Sequence, residues 1–292
     1  MAIHPWALLK RTANDYIADD CLSRGAAIAY YTIFSIAPVL VIVIAVAGLV
    51  FGADAARGAI ADQLGGLMGK QSADALNSMV KSASNKGAGT IATIIGVVTL
   101  LITATGVFTE MQSSLNAIWK AEPKGTTVGR LVRVRLASLG LVMSLGFLLL
   151  VSLVVSAGLT ALGTWLKAFL PGTQIVLQAV NFIISFLLIA VLFAAIYKVL
   201  PDKPLTWRDV AIGAVATAFL FTVGKFLISL YIGSSQVASS YGAAGALMVI
   251  LLWIYYSAQI FLLGAEFTKA FAERHGSHAD GAQAPASALG TV

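Results

Sequence analysis

Residues 207–269 read WRDVAIGAVATAFLFTVGKFLISLYIGSSQVASSYGAAGALMVILLWIYYSAQIFLLGAEFTK. Between Asp209 and Glu266 the only charged residue is Lys225. Two apolar stretches flank an uncharged loop, Gly233–Tyr241, and each is long enough to cross a bilayer as a helix. A lysine at membrane depth costs about 2.5–3.5 kcal/mol on insertion scales, so Lys225 is expected to face a cavity or a partner rather than lipid. The second stretch places Tyr255, Gln259 and Glu266 on one helical face.

The rest of the chain follows the same pattern. Further charge-free intervals occupy 25–53, 87–109, 136–166 and 168–197, which with the hairpin predict six spans. Only 11% of the 292 residues are charged and 59% are hydrophobic, where a soluble domain carries about 25% charge. The predicted fold is therefore all-α: a polytopic bundle of six transmembrane helices with a small helical extracytoplasmic cap. Residues 1–14 form a cytoplasmic lead, 15–272 the membrane domain with its cap at 53–89, and 273–292 a disordered cytoplasmic tail biased to Ala, Gly, Ser and Pro. The apolar run after Arg24 is too long for a cleaved signal peptide.

Charge sets the orientation. Of the 19 basic residues, Lys10, Arg11, Arg24, Lys120, Lys124, Arg130, Arg133, Arg135, Lys198, Lys203, Arg208, Lys269 and Arg274 fall on one side of an alternating topology. Arg57, Lys70, Lys81, Lys86 and Lys167 fall on the other. The positive-inside rule puts both termini in the cytoplasm. This partition accounts for the net charge of +6 without a nucleic-acid partner. Cys21 is the single cysteine, so no internal disulfide forms. His4, His275 and His278 lie near the termini, which leaves no His-based metal site in the core. No phosphate-loop motif is present, and neither a metal nor a cofactor is expected.

Depth decides which polar groups meet. Asp15–Tyr31 reads as helical, capped by Asn14 or Asp15, with Asp20 and Arg24 four residues apart on one face. Pro38 should kink the first span. Thr99, Thr103, Gly106, Glu110, Ser113 and Ala117 make a small and polar seam on the second. Glu110 and Glu266 lie toward the cytoplasmic end, while Lys225 lies roughly 15 Å farther out than Glu110, at about 1.5 Å per residue. The predicted site is thus an inner cluster of Arg24, Asp20, Glu110 and Glu266, with Lys225 higher, in a midplane cavity.

The segments DDCLSRGAAIAYYTIFSIAPVL (from Asp19) and FTEMQSSLNAIWK (from Phe108) carry a resemblance to the YihY/BrkB family of bacterial inner-membrane proteins. YKVLPDKPLTWRDVAIGAVATAFLFTVGKFLISLYIG (from Tyr197) and SSYGAAGALMVILLWIYYSAQIFLLGAEFTKAF (from Ser239) carry it further. The likeness runs from about Asp15 to Ala272. It implies a six-helix inner-membrane protein with no assigned catalytic residues. Members have carried the labels ribonuclease BN and serum-resistance virulence factor, and some relatives are associated with lipopolysaccharide-precursor or lipid trafficking. Arg24, Glu110, Lys225 and Glu266 sit within the matching motifs. The leading expectation is a non-enzymatic transporter or exporter of an anionic lipid-like or small polar solute, in contact with the lipid bilayer. The alternatives are an envelope scaffold or virulence factor that docks an envelope protein through the cap, and a tRNA-processing ribonuclease. The ribonuclease label fits poorly, because the aqueous loops offer no cluster of His and acidic residues for RNA hydrolysis.

Overall fold

Every regular element among the described residues is a helix. The structure, a computed structural model, describes residues 5–68, 70–83, 106–121, 129, 173–234 and 242–275. In chain order the helices are α1 (Pro5–Ala18), α2 (Cys21–Phe51), α3 (Ala53–Met68) and α4 (Lys70–Ala83). They continue with α5 (106–118), α6 (Thr173–Val199), α7 (Trp207–Ser234) and α8 (Gly242–His275). Among the described residues three segments are long and apolar enough to cross a membrane: Ile175–Val199, Trp207–Ile228 and Ala244–Arg274. The predicted first span lies within α2, which stays helical through Pro38. The first part of the predicted second span, the third span (136–166), most of the basic loop at 120–135, the loop at 235–241 and the tail beyond 275 lie outside the described residues.

The hairpin of α7 and α8 is packed through small residues. A Cβ placed on Gly213 would collide with Thr268, and one on Gly264 with Thr217 and the Tyr197 hydroxyl. Farther along, Gly224 lies under Ile260 and Tyr256. Such contacts let helix backbones approach closely where lipid offers no hydrophobic drive. They also define an antiparallel register, in which Gly213 faces Thr268 and Thr217 faces Gly264. Helix α6 also packs on α7, with Phe193 edge-on to Phe221 at 5.8 Å. The Tyr197 hydroxyl donates to the Phe261 carbonyl at 2.7 Å and sits 3.1 Å from Thr217 Oγ1.

Two predicted boundaries are corrected. Residues Asp15–Tyr31 are not one helix: α1 begins at Pro5, and the chain turns at Asp19 and Asp20 before α2 starts. Asp20 takes the left-handed conformation (φ 53°, ψ 41°), which Asp tolerates better than most residues. The predicted tail boundary at 273 also moves, because α8 continues to His275 and Glu273 is tied to Arg11.

The predicted cap region supplies α3 and α4, separated from α2 by Gly52 at φ 83°. Ala73, Leu76 and Val80 form a stripe at helical spacing. Leu76 is buried against Ala29, Val249, Ile250 and Ile254, and Val80 against Val43, Ile44 and Ile60. Val249–Ile254 lie about 7–15 Å into the Ala244–Arg274 segment at 1.5 Å per residue. The hairpin of α3 and α4 therefore shares depth with α2 and α8 over this stretch.

Candidate functional site

Glu266, the most buried charge among the described residues, meets Lys269 where the corner between α1 and α2 touches α8. Glu266 is fully buried and Lys269 nearly so. Lys269 Nζ lies 3.0 Å from Asp19 Oδ2 and 3.6 Å from Glu266 Oε2. The Cys21 thiol donates to Glu266 Oε1 across 3.7 Å. The helix break creates this arrangement. It ends α1 at Ala18, so the Asp19 carboxylate can turn to α8 while Cys21 begins a new helix beside Glu266. Two acids and one cation in a dry setting are held together because each ion would be costly to bury alone.

The same face of α8 continues in both directions. Outward from Glu266, Gln259 accepts a hydrogen bond from the Tyr16 hydroxyl and donates to the Leu22 carbonyl at 3.3 Å. Gly25 leaves space for that amide, since a Cβ there would overlap it. Burial, and then the facing Cys21 and Tyr255, push the Tyr16 phenol up to about 12, so it remains a donor. Toward the end of α8, Glu273 pairs with Arg11, which also lies 3.5 Å from Asp15.

Above Gln259 the face becomes apolar. Tyr255 borders a groove of about 1000 Å³ between α2 and α8. Ala26, Ala29, Tyr30, Ile33 and Phe34 of α2 form one wall, Leu247, Met248, Leu251 and Leu252 of α8 the other, and Met79 of α4 a third.

The structure brings some of the predicted site residues together and separates others. Glu266, Gln259 and Tyr255 share the face read from the sequence. Glu266 has Lys269, Asp19 and Cys21 as neighbours in place of the predicted Arg24, Asp20 and Glu110. Asp20 is exposed at the corner, where its carboxylate accepts from Ser23 at 2.9 Å. Arg24 Nε donates to the Asp19 carbonyl at 2.9 Å, which closes the C-terminal end of α1. Glu110 is half-buried on α5, and among the described residues it forms no ion pair with Arg24 or Glu266. The predicted four-residue cluster is thus replaced, because the left-handed turn swaps Asp19 for Asp20 and Lys269 supplies the cation from within α8.

Lys225 is half-buried on α7. The register of the hairpin places it level with Tyr256 and places Glu266 near Val215. That separates Lys225 from Glu266 by about ten residues, or about 15 Å along the helices. Tyr256 abuts Gly224, whereas Tyr255 lines the groove. The groove and α7 therefore flank different sides of α8.

A second buried polar tie was not anticipated. Asn116 of α5 donates to Asp202 Oδ2 at 2.8 Å and accepts from the Asp202 backbone N–H at 2.9 Å. Lys203 Nζ reaches the Trp119 carbonyl at 3.4 Å and stands 5.7 Å from its ring. Thr206 caps α7, accepting from the Asp209 N–H at 3.4 Å and donating to its carboxylate at 2.8 Å. Asn116, Asp202, Asp19 and Lys269 all lie in the motif segments quoted above. The Glu266–Lys269 spacing of three is a readable helical pair; the cross-chain partners leave no such local mark.

The family model described as Virulence factor BrkB matches residues 12–288. A UPF0761 membrane protein of Alcanivorax borkumensis is 30% identical over 279 residues, covering 91% of this chain and 59% of that protein. The UPF0761 membrane protein of Psychrobacter sp. is 26% identical and is covered over 48% of its length, so the chain spans about half to three fifths of these two relatives. A Bacillus subtilis protein called putative ribonuclease-like protein YfkH is 26% identical, with 89% of this chain and 93% of that protein covered. No solved structure matches. With its helical membrane architecture, its motif segments and a family match across nearly its whole length, the chain belongs to the Virulence factor BrkB family.

Proposed function

We propose that this protein moves an amphiphile, an anionic lipid-like molecule, across the bacterial inner membrane without altering it chemically, with both of its own termini in the cytoplasm. The groove between α2 and α8 carries this reading. Its walls are apolar on three sides, it is open enough for acyl chains, and it runs inward to Tyr255, one turn from the Gln259–Tyr16 hydrogen bond. An acyl chain would occupy the groove while the polar head met the hydrogen-bonding groups below it. The Asp19–Glu266–Lys269 cluster would close the inner end of that path as an ionic gate. Lys225, on the other side of α8, is the second polar station and the candidate for attracting an anionic head.

Native mass spectrometry of protein extracted from its own membrane tests the groove. Wild type should retain lipid, and Ala26→Trp and Leu251→Trp, which fill the groove, should lose it. Equal lipid retention in these variants overturns the proposal. Proteoliposomes with fluorescent phosphatidylglycerol test movement. Lys225→Met should slow translocation at least tenfold with expression unchanged. Wild-type rates in that variant would remove Lys225 from the mechanism.

A further inference from the structure

Helix α1 has its polarity reversed relative to a helix on a soluble surface. Its buried side carries Leu8 and Thr12 together with the ties to α8, Arg11 to Glu273 and Tyr16 to Gln259. Its outer side is apolar: Trp6 is 78% exposed, Leu9 55% and Ile17 72%. At 100° per residue these three and Ala13 form one continuous stripe. Lys10 and Asn14 border it, both exposed. The one acid of α1, Asp15, is turned toward Arg11 and away from this face.

We propose that the outer face of α1 is a membrane-docking surface, lying in the headgroup region of an anionic leaflet. Three observations select lipid as the occupant. The corner at Asp19 and Asp20 joins α1 directly to α2, and its inner side is fastened to the end of the Ala244–Arg274 segment, so the helix sits at the membrane boundary. The exposed stripe pairs a tryptophan with aliphatic side chains, the composition of helices that bury an apolar face in the headgroup region. The charge it presents is Lys10 with no acid, complementary to anionic lipid. Because Arg11 and Tyr16 of the same helix are tied to α8, docking also braces the corner that positions Asp19 beside Lys269.

The test places a nitroxide at position 13, using Ala13→Cys in a Cys21→Ser background of the full chain. The protein is reconstituted in vesicles of phosphatidylcholine with phosphatidylglycerol. The label should be accessible to oxygen and shielded from a water-soluble nickel reagent, and Lys10→Glu should shift it toward the nickel reagent in these vesicles but not in phosphatidylcholine alone. A label open to nickel in wild-type sequence context means a water-facing helix, and one closed to both reagents means that protein covers the stripe; either overturns the proposal. Should the labelled variant misfold, quenching of tryptophan emission by lipids brominated near the headgroup gives a second reading. Trp6→Phe should lose part of the quenching seen in wild type, and unchanged quenching overturns the proposal.

Discussion

Lys269 is the residue on which the inner cluster depends. It is the cation shared by Asp19 and Glu266, and its side chain is 6% exposed. Removing one member of a buried ionic set leaves uncompensated charge and typically costs about 3–5 kcal/mol. Lys269→Met should therefore lower the melting temperature in detergent sharply, and adding Asp19→Asn and Glu266→Gln should recover most of the loss. A Lys269→Met protein as stable as wild type would show that Lys269 does not compensate charge on Asp19 and Glu266. Tyr16 offers a second test. Its phenol is held at about 12 against an ordinary value of 10. The unfolded chain thus ionises first as pH rises, so Tyr16 adds nothing to pH dependence below about 10 and lowers stability between about 10 and 12. In a tyrosinate absorbance titration, Tyr16→Phe should remove a late-ionising component. The choice between Asp19 and Asp20 was not legible, because adjacent acids look alike until one of them takes the left-handed turn.

At the scale of elements, the α7–α8 hairpin was readable from hydropathy, and so was the separation of Lys225 from Glu266. Counting residues along two antiparallel helices is enough when charges are rare. The register itself needed the contacts of Gly213 and Gly264. At Gly264 an added Cβ would stand 2.6 Å from the Tyr197 hydroxyl and 2.7 Å from Thr217 Cγ2. Overpacking of this kind costs about 1–3 kcal/mol. Gly264→Val should lower thermal stability by that amount and loosen the α7–α8 contact, while Gly58→Ala, at a site with open space around it, should change little. The α3 and α4 helices were readable as short amphipathic elements. Their placement against α2 and α8 was not, since one apolar stripe fits many surfaces.

For the molecule as a whole, one end collects the interior polar ties. Arg11 meets Glu273, Asp19 meets Lys269, and Asn116 meets Asp202, with Cys21, Leu115, Trp119, Leu205 and Ala265 in a common core. Arg11 of α1, the end of α5, the α6–α7 loop and the end of α8 therefore share that end. Single cysteines introduced at Lys10 and Arg274 in a Cys21→Ser background should react with an impermeant maleimide in inverted vesicles and not in intact spheroplasts. Labelling of the two positions from opposite faces would break the topology.

Composition alone dictated a helical membrane chain, because backbone groups in lipid must be paired within the segment and long charge-free runs leave few alternatives. Motif order carried the family, and the spacing of rare charges set their depths. Partner choice came from the tertiary structure. Asp19 rather than Asp20, Lys269 rather than Arg24, the Asn116–Asp202 tie and the groove bordered by Tyr255 all depend on helix rotation and on one left-handed residue. A rotation of one position, 100° about the axis, turns a buried carboxylate into an exposed one, and local sequence does not encode it.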